Sequence, residues 1–353
     1  MDIYVLDSTF NRIDIIDEYE SCIWNIKYFD VSDFELYISA SCENIKLLKH
    51  NNYLVRDKDV VAGCMHNVMI IEKIVTQSDV ENGDYLIITG RDLRSIAGRR
   101  IIWPQTILNE PVEAAMRTLL YYNIINPSIE SRKIDNVTFG ELEVSTDVIN
   151  QQVTGDNLQE YITKTLTIYG IGWRCCVNEN KEIVFDFYKG VDRSINQSDN
   201  PRVVFSPDNE NILNCDYSMD YTDYKNVAVV AGEGEGINRR NITLNVYHGM
   251  DRYELFVDAR NVSSNDGEIS DTDYLTMLSR EGTTKLKEHT KVEEFEGEIE
   301  PNNMYVYGVD YNLGDIVTIT NLYEVTANPR IIGVIESFSN EGESIIPTFS
   351  AWI

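Results

Sequence analysis

The chain has 353 residues, and 58 Asp and Glu residues against 30 Lys and Arg residues give it a formal charge of −28. This charge excludes a nucleic-acid binder that works through a basic surface, because such binding rests on Lys and Arg displacing counterions from phosphates. The 43% of hydrophobic residues can supply a packed core, so global disorder is excluded as well. The length predicts more than one domain.

Membrane insertion and export are not indicated by the sequence. No window approaches the roughly 18 apolar residues that a membrane span requires. The N-terminus carries acids where a signal peptide needs a basic region and an apolar run. The six cysteines show no C-x-x-C spacing, which predicts reduced, partly buried thiols.

Residues 1–105 predict a β-domain with one short helix. Period-two alternation at 33–38 is typical of a half-buried strand, and further β-rich runs occur at 3–6, 68–74 and 85–89. A helix is predicted over 43–49, with Ser41 as its N-cap.

Residues 106–205 predict an inserted α+β domain. Pro111 is expected in the first turn of a helix that runs to about Tyr122. A second helix is expected after Asp156, where an apolar stripe of helical period ends at Gly170. The runs 172–177 and 182–188 then predict a β-hairpin.

Residues 206–353 predict a second β-domain with a helical insertion near 261–290. The insertion contains a helix from about Ser270, its expected cap, to about His289. The isoleucines at 70, 71 and 74 recur in the same spacing at 331, 332 and 335, each time before a turn and another strand. This echo raises the alternative that the two β-domains are structural duplicates. The fold class that these patterns predict is α+β, predominantly β.

The familiar signatures of catalysis and ligand binding are missing from the sequence. Its four histidines are scattered, without the spacing of a zinc site. It contains no G-x-S-x-G element, no phosphate-binding loop of the Walker type and no dinucleotide fingerprint. We therefore predict no catalytic, cofactor-binding or metal-binding residues, and no cofactor.

An acidic pattern lies at 292–300. Period two places four carboxylates on one strand face, which must be exposed to water: Glu294, Glu296, Glu298 and Glu300. One interpretation is an ordinary solvated face. The other is the wall of a water-filled passage that keeps a polyanion from sticking.

A basic cluster lies at 91–100. It consists of four arginines: Arg91, Arg94, Arg99 and Arg100. In so acidic a chain these guanidinium groups are expected to pair with local carboxylates or with a neighbouring subunit, in a structural role.

A series of motifs resembles the siphovirus-type tail protein family of phages and prophages of Gram-positive bacteria. In chain order they are GRDLRSI at 90–96, RRIIW at 99–103, GDNL at 155–158, VFSP at 204–207, YKNVA at 224–228, AGEGEG at 231–236, ELFVDAR at 254–260 and Y-x-LGD-x-V at 311–317. The resemblance covers nearly the whole chain. The family in turn resembles the baseplate hub, or tail-associated, proteins of long-tailed phages.

The resemblance implies a baseplate-hub-like homotrimer, located in the virion tail and synthesised in the cytoplasm of the bacterial host. Each protomer would carry two tube-like β-domains, so that three chains present six similar units to a six-fold tail tube. The implied partners are tail tube and distal tail proteins, the tape-measure protein, and tip spike or fibre proteins. Neither a membrane nor a specific nucleic-acid sequence is expected as a partner.

Two other functions stay open at this point. A cell-surface or carbohydrate-binding adhesin is suggested by 21 Tyr and 4 Trp residues in a β-rich chain. A cell-wall glycosidase using two carboxylates is the enzymatic alternative. Some relatives carry a C-terminal extension with a hydrolase or a fibre. Since this sequence ends soon after its last predicted hairpin, we expect lytic or receptor-binding activity in a partner, and the chain itself not to be an enzyme.

Overall fold

The computed structural model describes residues 1–79, 83–144, 148–299, 304–340 and 342–350. Within these ranges it contains 24 strands in several sheets and four α-helices, so the chain is predominantly β, as predicted.

The first 92 residues contain nine strands and one helix. The strands are β1 (Ile3–Leu6), β2 (Arg12–Ile16), β3 (Ser21–Lys27), β4 (Asp33–Ser39), β5 (Tyr53–Arg56), β6 (Val60–Val61), β7 (Cys64–His66), β8 (Met69–Asp79) and β9 (Gly83–Asp92). Helix α1 (Cys42–Leu47) lies between β4 and β5, and the hydroxyl of Ser41 caps it by accepting from the backbone N–H of Asn44, as predicted.

The middle of the chain alternates strands and helices. Its elements are β10 (Thr106–Pro111), α2 (Val112–Leu120), β11 (Val137–Phe139), β12 (Val148–Val153), α3 (Leu158–Tyr169), β13 (Gly172–Val177) and β14 (Ile183–Tyr188). Pro111 ends a strand and caps α2, whereas we expected it inside the first turn. The difference arises because 106–111 pair with β12. Gly170 ends α3 in the left-handed conformation, as predicted.

The last part of the chain contains ten more strands and the longest helix among the described residues. They are β15 (Val204–Phe205), β16 (Ile212–Asp220), β17 (Val227–Ala231), β18 (Asn241–Leu244), β19 (Glu254–Asp258), α4 (Asp271–Lys287), β20 (Val292–Ile299), β21 (Thr318–Thr320), β22 (Thr326–Ala327), β23 (Arg330–Ser339) and β24 (Gly342–Ser350). The hydroxyl of Ser270 caps α4 through the backbone N–H of Asp273, as predicted.

The largest sheet joins the two ends of the chain. Its order is β2-β1-β5-β8-β9-β4-β3-β23-β24, so the last hairpin pairs with β3 across about 300 residues of sequence. A second sheet, β11-β14-β13-β7-β6, joins the middle of the chain to the first part. Three smaller clusters of buried residues and one large one fill the spaces between these layers. The predicted division at 105 and 205 stays a prediction.

The two hairpins of the isoleucine echo lie in this one large sheet. Both carry a bulge near the repeated residues, between Ile71 and Lys73 in β8 and between Ile331 and Gly333 in β23. In the register of the repeat Ile71 corresponds to Ile332, so the two bulges are one residue apart, and the duplication stays a prediction.

Candidate functional site

The predicted acidic strand is β20, which pairs antiparallel with β16. Its Phe295 is buried and packs against the ring of Tyr217, with centroids 4.9 Å apart. The side chains of three of the predicted glutamates and the whole of the fourth lie outside the described residues: Glu294, Glu296, Glu298 and Glu300. Their role as a lumen wall therefore stays a prediction.

Arg94 belongs to the predicted basic cluster. It is buried, and its hydrogen bonds connect the large sheet to the middle of the chain. Its guanidinium donates to the carboxylate of Asp92 at 2.6 and 2.8 Å, to the Trp173 carbonyl at 2.7 Å and to Ser32 Oγ at 2.7 Å. Burial opposes the charge of Arg94, but the Asp92 carboxylate outweighs this effect and raises the pKa of Arg94.

The other three arginines of the cluster lie nearer the surface. Arg91 makes a bidentate contact with Glu72, at 2.7 and 2.9 Å. The Nε of Arg100 donates to the Arg132 carbonyl at 2.8 Å, and Arg99 is exposed. The structure therefore places Arg91 and Arg94 against carboxylates of the same chain, while contact with a neighbouring subunit stays a prediction.

A second buried ion-pair network was not anticipated from the sequence. Arg56, at the end of β5, is 1% exposed and contacts Asp59 Oδ2 at 2.5 Å and Glu336 Oε2 of β23 at 3.2 Å. Lys58 also pairs with Glu336. Burial disfavours the charge of Arg56, yet Asp59 and Glu336 raise its pKa overall. This network joins the first part of the chain to the last hairpin, and no local sequence pattern could have indicated a pair 280 residues apart.

Tyr28 lies where the three parts of the chain meet. Its hydroxyl donates to the Tyr188 carbonyl at 3.0 Å and accepts from the backbone N–H of Gly190 at 3.2 Å. Two glycines lie against its ring. A Cβ atom added to Gly172 would lie 2.2 Å from a carbon of the Tyr28 ring, and a Cβ atom added to Gly314 would lie 2.3 Å from it. Both positions need glycine because the ring occupies the space of a side chain.

A cleft of about 430 Å³ opens beside this junction. Its walls include two ion pairs, Arg94 with Asp92 and Arg193 with Asp315, the latter at 2.7 Å. Asp315 also accepts from the Val191 backbone N–H at 2.8 Å. These charged groups neutralise one another and connect the layers. Within the described ranges, no group of three or more His, Cys, Asp or Glu residues is arranged to hold a metal ion.

Strand β2 forms one edge of the nine-stranded sheet and is exposed over most of its length. Ile13 and Ile15 of this edge strand are 47% and 43% exposed. An apolar strand edge of this kind is a template for pairing or packing with another chain. It is therefore a candidate contact surface.

The profile of the Siphovirus ReqiPepy6 Gp37-like family matches residues 2–349. The chain belongs to this family. The predicted membership of a siphovirus-type tail protein family is thereby confirmed, over nearly the whole chain. A Gp37-like protein is a phage tail protein, so the predicted location in the virion tail is confirmed at this level.

Solved structures with a similar fold are tail proteins too. The tail protein from Neisseria meningitidis MC58 matches with a TM-score of 0.59 and 13% identity, over 99% of this chain and 95% of the other. The 43 kDa tail protein of prophage MuSo2 from Shewanella oneidensis matches with a TM-score of 0.58 and 12% identity, over 99% and 98%. Prophage tail protein gp18 from Listeria monocytogenes EGD-e matches with a TM-score of 0.55 and 12% identity, over 99% and 94%. At these identities the likeness shows the fold alone.

Two further comparisons gave negative results. No curated protein sequence matches this Gp37-like chain significantly. Among the described residues, none of the helices combines the length and the apolar character needed to cross a membrane.

Proposed function

We propose that this tail protein is a baseplate hub, or tail-tip, protein that acts through its shape and not as an enzyme. Three copies would close into a ring that joins the six-fold tail tube to the tip and surrounds the exit path of the DNA. The tail tube, distal tail proteins and tape-measure protein would contact one side of the ring, and a spike or fibres the other.

The observation that carries the proposal is the match to tail proteins from one end of the chain to the other. We therefore expect a chain whose whole length follows the fold of tail proteins to be a structural part of the particle.

The arrangement of the large sheet also supports the proposal. Hairpin β8–β9 and hairpin β23–β24 lie in one sheet, and the buried pair of Arg56 and Glu336 holds the two regions together. Two similar β regions side by side in each protomer would give three protomers six similar units. This is the number that a six-fold tube requires.

The exposed edge β2 provides a surface through which the ring could close. Ile13 and Ile15 would be covered by the neighbouring protomer, which would remove the aggregation hazard of an open edge.

The proposal is tested by the oligomeric state of the purified chain and by the position of the protein in the native particle. We expect a species of about 120 kDa, three times the 40.5 kDa of one chain, in mass photometry. Electron microscopy of the particle should show a three-fold ring at the end of the tail tube. A chain that stays monomeric in the particle, or lies away from the tube axis, would contradict the proposal.

The acidic strand has its own test. If the glutamates at 294, 296, 298 and 300 line the exit path, then changing all four to Lys should impair DNA ejection while particles still assemble. Normal ejection from assembled variant particles would refute the lumen assignment without affecting the ring.

A further inference from the structure

An exposed surface in the middle of the chain combines aromatic, aliphatic and basic side chains. Three segments form it: 99–104, the π-helical turn Tyr121–Ile125, and 129–133. Five large apolar side chains of these segments are 40–51% exposed: Ile101, Trp103, Tyr121, Tyr122 and Ile129. We call these five residues, together with Arg99, Arg100 and Arg132, the Trp103 surface.

Arg132 connects the three segments. Its guanidinium donates to the Trp103 carbonyl at 2.7 Å, to Asn123 Oδ1 at 3.0 Å and to the Ile101 carbonyl. Asn123 is buried, and its Oδ1 also accepts from the Trp103 backbone N–H at 2.9 Å, while its Nδ2 donates to the Leu119 carbonyl at 2.9 Å. The backbone of the surface is therefore held in place before a partner binds, which lowers the entropic cost of binding.

The arginines of this surface lack carboxylate partners. Among the described residues, no Asp or Glu oxygen lies within 4 Å of the side-chain nitrogens of Arg99, Arg100 or Arg132. Burial and the neighbouring Arg100 guanidinium lower the pKa of Arg132. Lys133 pairs with Asp135 at 3.1 Å, which leaves Glu130 as the one acidic residue of the three segments. The local charge is thus positive in a chain of net charge −28.

Two of these arginines keep donors for a partner. A guanidinium carries five N–H groups. Arg132 uses at most three of them in the hydrogen bonds described above. Arg100 uses two, with the carbonyls of Arg132 and Arg99. The remaining N–H groups can bind a carboxylate, whose two oxygens match the planar fork of a guanidinium.

The composition of the surface is typical of a protein–protein contact. Trp, Tyr and Arg are enriched among the residues that dominate the binding energy of protein interfaces. A fitting partner offers carboxylates to the arginines and apolar side chains to Trp103 and the tyrosines. DNA is disfavoured, because the charge of −28 repels a polyanion and three arginines can neutralise few phosphates.

We propose that the Trp103 surface docks an acidic segment of a different tail protein. We assign it to a different protein because the ring has its own candidate contact at edge β2 of the large sheet, to which none of the three segments belongs. The inference goes beyond the proposed hub function and does not depend on it, since it requires only that the chain is part of a tail.

Photo-crosslinking in assembled particles tests the inference. The photoreactive residue p-benzoylphenylalanine replaces Tyr122, and ultraviolet light links it to the chain that lies against the surface. Mass spectrometry then identifies the attached peptide. We expect a segment of net negative charge from another tail protein. The same label in place of Tyr323, which is 86% exposed between β21 and β22, is the matched control and should not give this adduct.

Two variants show which side chains hold the segment. Trp103→Ala and Arg100→Gln should each lower the yield of the Tyr122 adduct at least about tenfold, as expected for residues that dominate binding. Arg202→Gln is the control, because Arg202 is an exposed arginine outside the surface that donates to the Gln197 carbonyl. Circular dichroism of each purified variant checks its fold. If one of the two variants fails to fold, the other still decides the result.

An adduct with an acidic segment of another tail protein, reduced by the variants, would support the inference. Absence of an adduct would overturn it, and so would an adduct with DNA, with a segment that lacks negative charge, or with a yield that the variants leave unchanged. An adduct of about 81 kDa between two copies of this chain would also overturn it. Failure of the hub proposal is read separately, from the mass of the purified chain, which the variants should not change.

Discussion

Arg94 and Trp173 contact each other in two ways: the Nη1 of Arg94 donates to the Trp173 carbonyl at 2.7 Å, and its guanidinium lies 5.6 Å from the centre of the indole ring. The carboxylate of Asp92 accepts hydrogen bonds from the same guanidinium. One buried cation thus connects the large sheet to β13. Its removal should therefore destabilise the packing between the large sheet and β13.

Arg94→Met should destabilise the protein by about 3–5 kcal/mol, since it leaves the buried carboxylate of Asp92 without its partner. Chemical denaturation monitored by tryptophan fluorescence measures this loss. Arg91→Met is the matched control from the same cluster, and its exposed pair with Glu72 should be worth less than about 1 kcal/mol. Equal effects of the two substitutions would show that the burial of Arg94 does not matter.

Glu336→Ala should loosen the last hairpin from the rest of the large sheet. The substitution leaves Arg56, 1% exposed, without one of its two carboxylate partners. Hydrogen exchange should accelerate in β23 and β24 by at least about tenfold, corresponding to roughly 1.4 kcal/mol of local stability. Glu343→Ala, at an exposed carboxylate of the same hairpin, should leave the exchange nearly unchanged.

Glu281 is 7% exposed in α4, and its Oε2 has no hydrogen-bond partner within the described ranges. Burial raises the pKa of Glu281, partly offset by Lys285 on the same helix and reinforced by Glu288. Tyr161 of α3 is the facing titratable group. Since the pKa is higher in the folded state, the contribution to stability is fully present below the ordinary carboxyl pKa and is lost as the pH rises through the raised value.

Glu281→Gln should therefore stabilise the protein by about 1 kcal/mol at pH 7–8, with a gain that vanishes below roughly pH 4. Thermal unfolding at several pH values measures this difference. Glu288→Gln should have the opposite sign, because Glu288 pairs with Lys285 at 3.0 Å and Lys164 at 3.2 Å. A pH-independent gain from Glu281→Gln would contradict the assigned cause.

Gly314→Ala should cost clearly more than Gly83→Ala. The two glycines have nearly the same positive φ, 94° and 91°. An added Cβ would lie 2.3 Å from the Tyr28 ring at Gly314 and would meet nothing within 4 Å at Gly83. The shared backbone strain amounts to about 1 kcal/mol. The crowding of Tyr28 should add about 1–3 kcal/mol in denaturation experiments, and similar losses at both sites would disprove it.

Ile13→Lys together with Ile15→Lys should weaken the proposed ring while each protomer keeps its fold. The two side chains lie on the exposed edge β2, so charges there cost little in the monomer and oppose burial against a neighbour. Mass photometry should show loss of the trimer, with an unchanged circular dichroism spectrum. Ile45→Lys, at a comparably exposed isoleucine of α1, is the control.

Local signals made much of the fold predictable. The caps at Ser41 and Ser270 and the stop at Gly170 act within four residues of sequence, and all three were found in the structure. The order of the large sheet could not be predicted from the sequence. Strands β3 and β23 are about 300 residues apart, and hydrophobic periodicity indicates only local structure, not which strands pair. Pro111 shows the same limit, since pairing with β12 moved the start of α2.

The same difference between local signals and long-range contacts applies to the functional surfaces. The backbone of the acidic strand at 292–299 was predictable from its alternation. The buried pair of Arg56 and Glu336 was not, because these residues are 280 positions apart and only tertiary packing brings them together.

Pairing of β23 with β3 also affects how the chain folds during synthesis. Translation at about 5–20 residues per second reaches β23 roughly 15–60 s after β3 has been made. During this interval β3 has an open edge, at which nascent chains on neighbouring ribosomes could pair wrongly. A chaperone that shields this edge until residues 330–350 emerge would therefore raise the yield of native protein.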